Sequence, residues 1–320
     1  MGVNSGSPGE GVNSKGVKRL DQQQIAAVVG DNAFKRLQRR GRGGNANFKG
    51  NRYELLFGAH RIAEFVCEWL STGTDHEVEW QAGGFVDDYV VRHDETRVFR
   101  GYQLKNAQVV SWTQGVPSIH EDFTLQYKLS REEGYEVIGL QLVCSNSDTA
   151  QALCSSVPQG ISAYSTATYF PYQEPIFPML FEYQDLWADF AYLSKHEHPR
   201  KIDVQQVVTV LIGAWEITGP RAMVSEVFRL SRDTSPSIFR AEQSDEEAET
   251  QLLPELRETL VRLPDFNFSI SRGFLRWSAM SETTSGVLSF DCFSDKFNAW
   301  QRHIISLHPQ SFQEIEGAFV

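Results

Sequence analysis

Asp87-Asp88 and Gln103-Leu104-Lys105 are the residues whose types and spacing suit chemistry. Residues two apart in a strand share a face, so Gln103 and Lys105 point one way, and Tyr102 and Leu104 the other. Asp88 shares its face with Val90, and Asp87 with Tyr89. One aspartate of the pair can therefore meet Gln103 and Lys105 across a hairpin. Asp88 is favoured, and Asp87 is kept as the alternative. A carboxylate, an amide oxygen and an ammonium would then converge at one end of a sheet. Oxygen donors of this kind suit Mg²⁺ or Mn²⁺. A lysine beside them can orient a water and stabilise phosphate charge. Glu54, near the start of the preceding helix, offers a second carboxylate.

The surrounding pattern supplies elements to carry these residues. Residues 52–70 read as a largely buried helix, with Leu56, Ala59, Ala63, Val66, Cys67 and Leu70 at helical spacing. Three strands follow at 77–82, 85–92 and 97–105. A helix over 121–133 ends at Gly134. The apolar run 137–144 has the character of a buried central strand, and Asp148 caps a brief helix to Cys154. Three antiparallel strands, a crossover helix and a further strand make a compact α/β domain over 48–160. Residues 161–200 read as a linker with an aromatic-rich helix over 179–195. Beyond them, helices are expected at 204–216, 221–232 and 250–262, with the acidic run 242–249 as a loop. A hairpin at 266–270 and 274–279, a strand at 287–293 and a helix at 295–307 complete a mostly α domain over 201–320. Three helices followed by a hairpin is a winged-helix pattern, suited to DNA binding or to protein docking.

The chain has 320 residues, too long for one ordinary domain of about 100–200. At 41% hydrophobic it can bury real cores. No apolar run approaches the roughly 18 residues of a membrane span, and the N-terminus has no signal-peptide core. Cys67, Cys144, Cys154 and Cys292 make no CxxC pair or zinc spacing, which fits buried thiols in a reducing cytoplasm. The eight histidines form no HxxxH pattern. The net charge of −11 is unevenly spread: residues 1–50 carry +6 and the rest −17. Residues 1–47 therefore read as a flexible basic arm, with a short helix over 21–40, able to contact nucleic acid or an acidic partner.

These features resemble the PD-(D/E)XK nuclease superfamily, whose core is a helix, a three-strand meander, a crossover helix and a strand. The match is Asp88 and then Gln103-x-Lys105, fifteen residues on. More narrowly, Lys49-Gly50-x-x-Tyr53-Glu54, Val86-Asp87-Asp88, Tyr102-Gln103-Leu104-Lys105, Trp112 and Val143-Cys144-Ser145 are similar to the DNA endonuclease domain of CBASS-type and related bacterial antiphage effectors. The resemblance covers residues 48–160 and departs from the commoner ExK in having Gln103. It implies a restriction-endonuclease-like fold and Mg²⁺- or Mn²⁺-dependent hydrolysis of double-stranded DNA. Asp88, Gln103 and Glu54 would hold the metal, and Lys105 would position the nucleophile. Lys49, Arg52 and Arg272 are the expected phosphate contacts. Activation is expected to need a protein partner or self-assembly. Two other functions fit the same residues. One is a DNA-binding regulator with an idle α/β domain, and the other a structural subunit of an ATPase-containing defence complex.

Overall fold

The computed structural model describes residues 18–38, 52–280 and 283–319. It is an α/β chain that divides into two compact units. The first takes the described residues up to Leu55 together with His76–Tyr172, and the second takes Leu56–Asp75 with the residues from Gln173 on. Most of the helix assigned to the α/β domain groups with the C-terminal half, and residues 161–172 belong to the first unit.

The first unit begins with helix α1 (Gln22–Val29) and helical residues 31–38, here α2. The expected single helix is broken at Gly30, which adopts φ 84°. These helices are docked, so this part of the expected flexible arm is a structured layer. Leu20, Ile25, Val28, Val29 and Ala33 pack, with Leu37, on Phe85, Leu125 and Leu129. Arg19 pairs with Glu77 at 3.3 Å, and Arg36 with Glu121 at 3.1 Å.

Helix α3 (Arg52–Thr72) opens in the first unit and runs on in the second. It is followed by β1 (Glu77–Trp80), β2 (Tyr89–His93), β3 (Val98–Lys105), α4 (Ile119–Glu133), β4 (Val137–Cys144), α5 (Ser147–Ser155) and β5 (Ser165–Tyr169). The five strands lie in the order β5-β4-β3-β2-β1. The β1-β2-β3 pairs are antiparallel, and β4 and β5 continue parallel to β3. The mixed sheet and its element order are those expected, with β5 added at the edge. Its Ser-Thr-Ala-Thr-Tyr sequence lacks the apolar run that marks a central strand. Strand β2 is shorter than the expected 85–92. Gly83 turns the chain at φ 72°, and the Phe85 and Val86 amides bond to a side chain instead of a neighbouring strand. Helix α4 is set by its ends. The Ser118 hydroxyl accepts from the Glu121 N–H, Glu121 and Asp122 occupy the first turn, and Gly134 closes the helix in the left-handed conformation. One sheet face is packed by Val86, Val90, Phe99, Leu140 and Leu142 with Trp112, Phe123 and Leu153.

The second unit holds α6 (Ile176–Leu180), α7 (Gln184–Leu193), α8 (Lys201–Thr218), the short β6 (Arg221–Met223) and α9 (Val224–Thr234). Then come α10 (Asp245–Thr250), α11 (Pro254–Arg262), β7 (Phe266–Ser271), β8 (Phe274–Ala279), β9 (Thr284–Val287) and α12 (Asp295–Leu307). The acidic run expected as a loop forms α10. Ser244 and Glu247 cap it reciprocally, and three acids fill the first turn, where the helix dipole favours them. The strand expected over 287–293 does not form: β9 lies before it, ending at Val287, and from Leu288 to Cys292 the chain enters the core instead. The β7-β8-β9 sheet is not a free wing. Phe266, Leu275 and Trp277 pack on Leu256, Leu260, Phe297 and Trp300 of the covering helices. Among the described residues, no helix is long and apolar enough to cross a membrane.

Candidate functional site

The site grows from the β2–β3 register. Tyr89 faces Tyr102, so one residue outward Asp88 lies opposite Gln103, and Lys105 follows on the same face. Asp87 falls opposite Leu104, on the other face. Asp88 is placed just before β2 rather than on it. Its Oδ2 accepts from the Leu104 N–H at 2.7 Å and from the Gln103 Nε2. Among the described residues, the Gln103 Oε1 accepts no hydrogen bond. Gln103 is 6% exposed, and its amide is oriented by the Asp88 carboxylate.

Glu54 reaches this corner through Gln81. The Gln81 Nε2 donates to the Glu54 Oε2 at 3.2 Å, and the Gln81 backbone N–H lies 3.5 Å from the Asp88 carbonyl. Lys105 is half-buried at the end of β3, level with Cys144 in the parallel register. Among the described residues its ammonium makes no hydrogen bond or ion pair. Burial pushes the Cys144 thiol up to about 11, against the opposing pull of the Lys105 charge. Burial likewise pushes the Cys67 and Cys292 thiols up to about 12, so these cysteines are poor nucleophiles.

Asp88 and Gln103 are therefore bonded, Lys105 shares the face of Gln103 on β3, and Glu54 is joined through one intermediate. No group of three histidine, cysteine, aspartate or glutamate side chains able to hold a metal occurs among the described residues. The donor types still suit a hard cation: the Gln103 amide, bonded through its nitrogen to the Asp88 carboxylate, also carries an oxygen donor. Mg²⁺ is commonly held by one or two carboxylates, with waters and substrate oxygens completing its shell.

The expected phosphate contacts fare differently. Lys49 lies outside the described residues. Arg52 is exposed at the start of α3. Arg272 is turned inward, against expectation. Its Nη1 lies within 2.7–3.2 Å of the carbonyls of Ala191, Tyr192, Ser194 and His196, at the end of α7. The guanidinium is held by the protein's own carbonyls and is not presented as a phosphate contact. Gln81 and Gln126 were missed from sequence. The one signal for Gln126 is an amide placed among Phe123, Leu125 and Leu129 on the buried side of α4. No family model, no curated protein and no solved structure gives a significant match to the chain.

Proposed function

We propose that the chain is a metal-dependent DNA endonuclease with a restriction-endonuclease-like core of the PD-(D/E)XK type. It would act as the effector or nuclease subunit of a bacterial antiphage system. The observation that supports this most is the convergence at one sheet corner. Asp88 bonds to Gln103 and to the Leu104 amide, and Lys105 follows on the same face. Asp88 and Gln103 are the residues that would hold a divalent ion, with Glu54 tied in through Gln81. Such an ion supplies Lewis acidity toward a phosphodiester and acidifies a bound water. Lys105 contributes a positive charge beside the place where phosphate charge develops, and Asp88 is kept oriented by the backbone N–H that it accepts from. A neutral Gln103 in place of a second carboxylate weakens the hold on metal and favours activation by a partner or by assembly.

The test is cleavage of plasmid and linear duplex with Mg²⁺ or Mn²⁺ by the intact chain. Cleavage is expected to disappear with EDTA and to fall at least about a hundredfold in Lys105→Ala, on the scale of losing one electrostatic stabiliser. A Lys105→Ala chain that cuts like the parent, or cutting that survives the chelator, would overturn the assignment. A DNA-binding regulator, by contrast, would retain full duplex binding and function in the same variant.

A further inference from the structure

Gln126 is a buried amide in a stripe of apolar residues. It is 5% exposed on α4, and such a group is costly unless its polar atoms are bonded. The Oε1 accepts from the Phe85 N–H at 2.9 Å and from the Val86 N–H at 3.4 Å. The Nε2 donates at 3.2 Å to the Ser130 hydroxyl, itself fully buried. The amide thus holds the backbone two and three residues before Asp88. Gly84 makes the approach possible, since a Cβ at that position would stand 2.5 Å from the Gln126 Oε1. Phe85 and Val86 are both fully buried, so their amides have no water to turn to if Gln126 is removed.

We infer that Gln126 is a positioning residue for Asp88. By fixing Phe85 and Val86 it delivers the chain to Asp88 with the carboxylate opposite Gln103 and on the Leu104 N–H. Among the described residues Gln126 makes no hydrogen bond to a group of the candidate site, and it acts through this backbone. The inference rests on the proposed function for its kinetic consequence. Its structural consequence is independent of that reading.

The experiment uses the full chain and the Leu104 amide as its reporter, followed by two-dimensional ¹H–¹⁵N NMR. In the parent, the Leu104 amide proton is expected downfield, because it donates to the Asp88 carboxylate at 2.7 Å. In Gln126→Met and in Gly84→Ala that signal should move upfield or broaden. Gln126→Glu keeps an acceptor for Phe85 and should retain it. The second arm is duplex cleavage titrated with Mn²⁺. Gln126→Met should raise the half-saturating Mn²⁺ concentration about tenfold, as loss of an outer-shell partner does, with kcat at saturating Mn²⁺ little changed. An unmoved Leu104 signal in Gln126→Met overturns the inference. If that variant does not fold, equal Leu104 signals in Gly84→Ala and Gln126→Glu overturn it instead. A chain that cleaves no DNA in any form, but whose Leu104 signal responds to Gln126→Met, upholds the positioning role and refutes the nuclease assignment.

Discussion

His60 makes the fold sensitive to pH. It is buried on α3, with its Nε2 3.0 Å from the Asp189 carboxylate and its Nδ1 3.0 Å from the Arg61 guanidinium. Arg61 can only donate, so Nδ1 is the acceptor and Nε2 carries the proton toward Asp189. Burial depresses the imidazole below its ordinary value of 6.5, and the Arg61 charge adds to this. The bond to Asp189 and the Glu64 charge oppose it. The unfolded chain therefore binds the proton first as pH falls. The stability that neutral His60 contributes is complete above about 6.5 and is lost progressively below it. The melting temperature should fall from pH 7 toward pH 5, and His60→Gln should flatten that slope. An unchanged slope in His60→Gln would assign the acid sensitivity elsewhere. Arg272 makes a second test at this scale. Removing the guanidinium leaves the carbonyls at the end of α7 without their donor, so Arg272→Ala should cost about 2 kcal/mol in denaturant unfolding. Duplex affinity should stay as it was. A variant of normal stability with weakened DNA binding would restore Arg272 to the interface.

Among the elements, the N-terminal pair α1–α2 carries the clearest consequence. It is held by a small apolar patch on Phe85, Leu125 and Leu129 and by ion pairs of partly exposed Arg19 and Arg36. Such pairs weaken as salt rises. Hydrogen exchange over 18–38 should therefore quicken several-fold between about 50 mM and 500 mM salt, while β3 and β4 stay protected. Ile25→Asp should produce the same change at low salt. Equal protection at both salt levels would make the apolar patch sufficient by itself. Helical character over this stretch was legible in sequence; the break at Gly30 and the docking were not, because an amphipathic stretch does not name its partner. The same distinction runs through the fold. Strands β3 and β4 and helices α4 and α12 were readable because each joins a periodic apolar pattern to a clear cap or turn. Strand β5 was missed because its residues are short and polar, and α10 because an acidic run resembles a loop until Ser244 caps it. At the candidate site, alternation alone put Asp88, Gln103 and Lys105 on one face. The ties that hold them, Gln81 to Glu54 and Gln126 to Phe85, cross tens of residues and leave no local pattern. Arg272 looked like a phosphate contact because a hairpin tip is usually open to solvent, whereas here the tip lies against the end of α7.

The whole molecule carries its charge in a way that bears on DNA. Residues 51–320 sum to −17 and would repel a duplex, whereas residues 1–50 sum to +6. Arg19 and Arg36 are already committed to the protein's own carboxylates. Of the other seven basic residues in this segment, Arg39, Arg40, Arg42 and Lys49 form a run that leads to Arg52. If the chain binds duplex DNA, that run is the part of the sequence best able to meet phosphates without opposing its acidic body. Each phosphate neutralised releases counterions, so the slope of log K against log salt counts the contacts at roughly 0.9 apiece. Replacing these four cations by glutamine should reduce the magnitude of the slope by about three to four and weaken binding at low salt. Fluorescence anisotropy of a labelled duplex between about 50 and 200 mM salt reads both quantities. A slope unchanged by the four substitutions would move the interface to another part of the chain. It would also leave the charge asymmetry to serve an acidic protein partner, which the same basic run suits equally well.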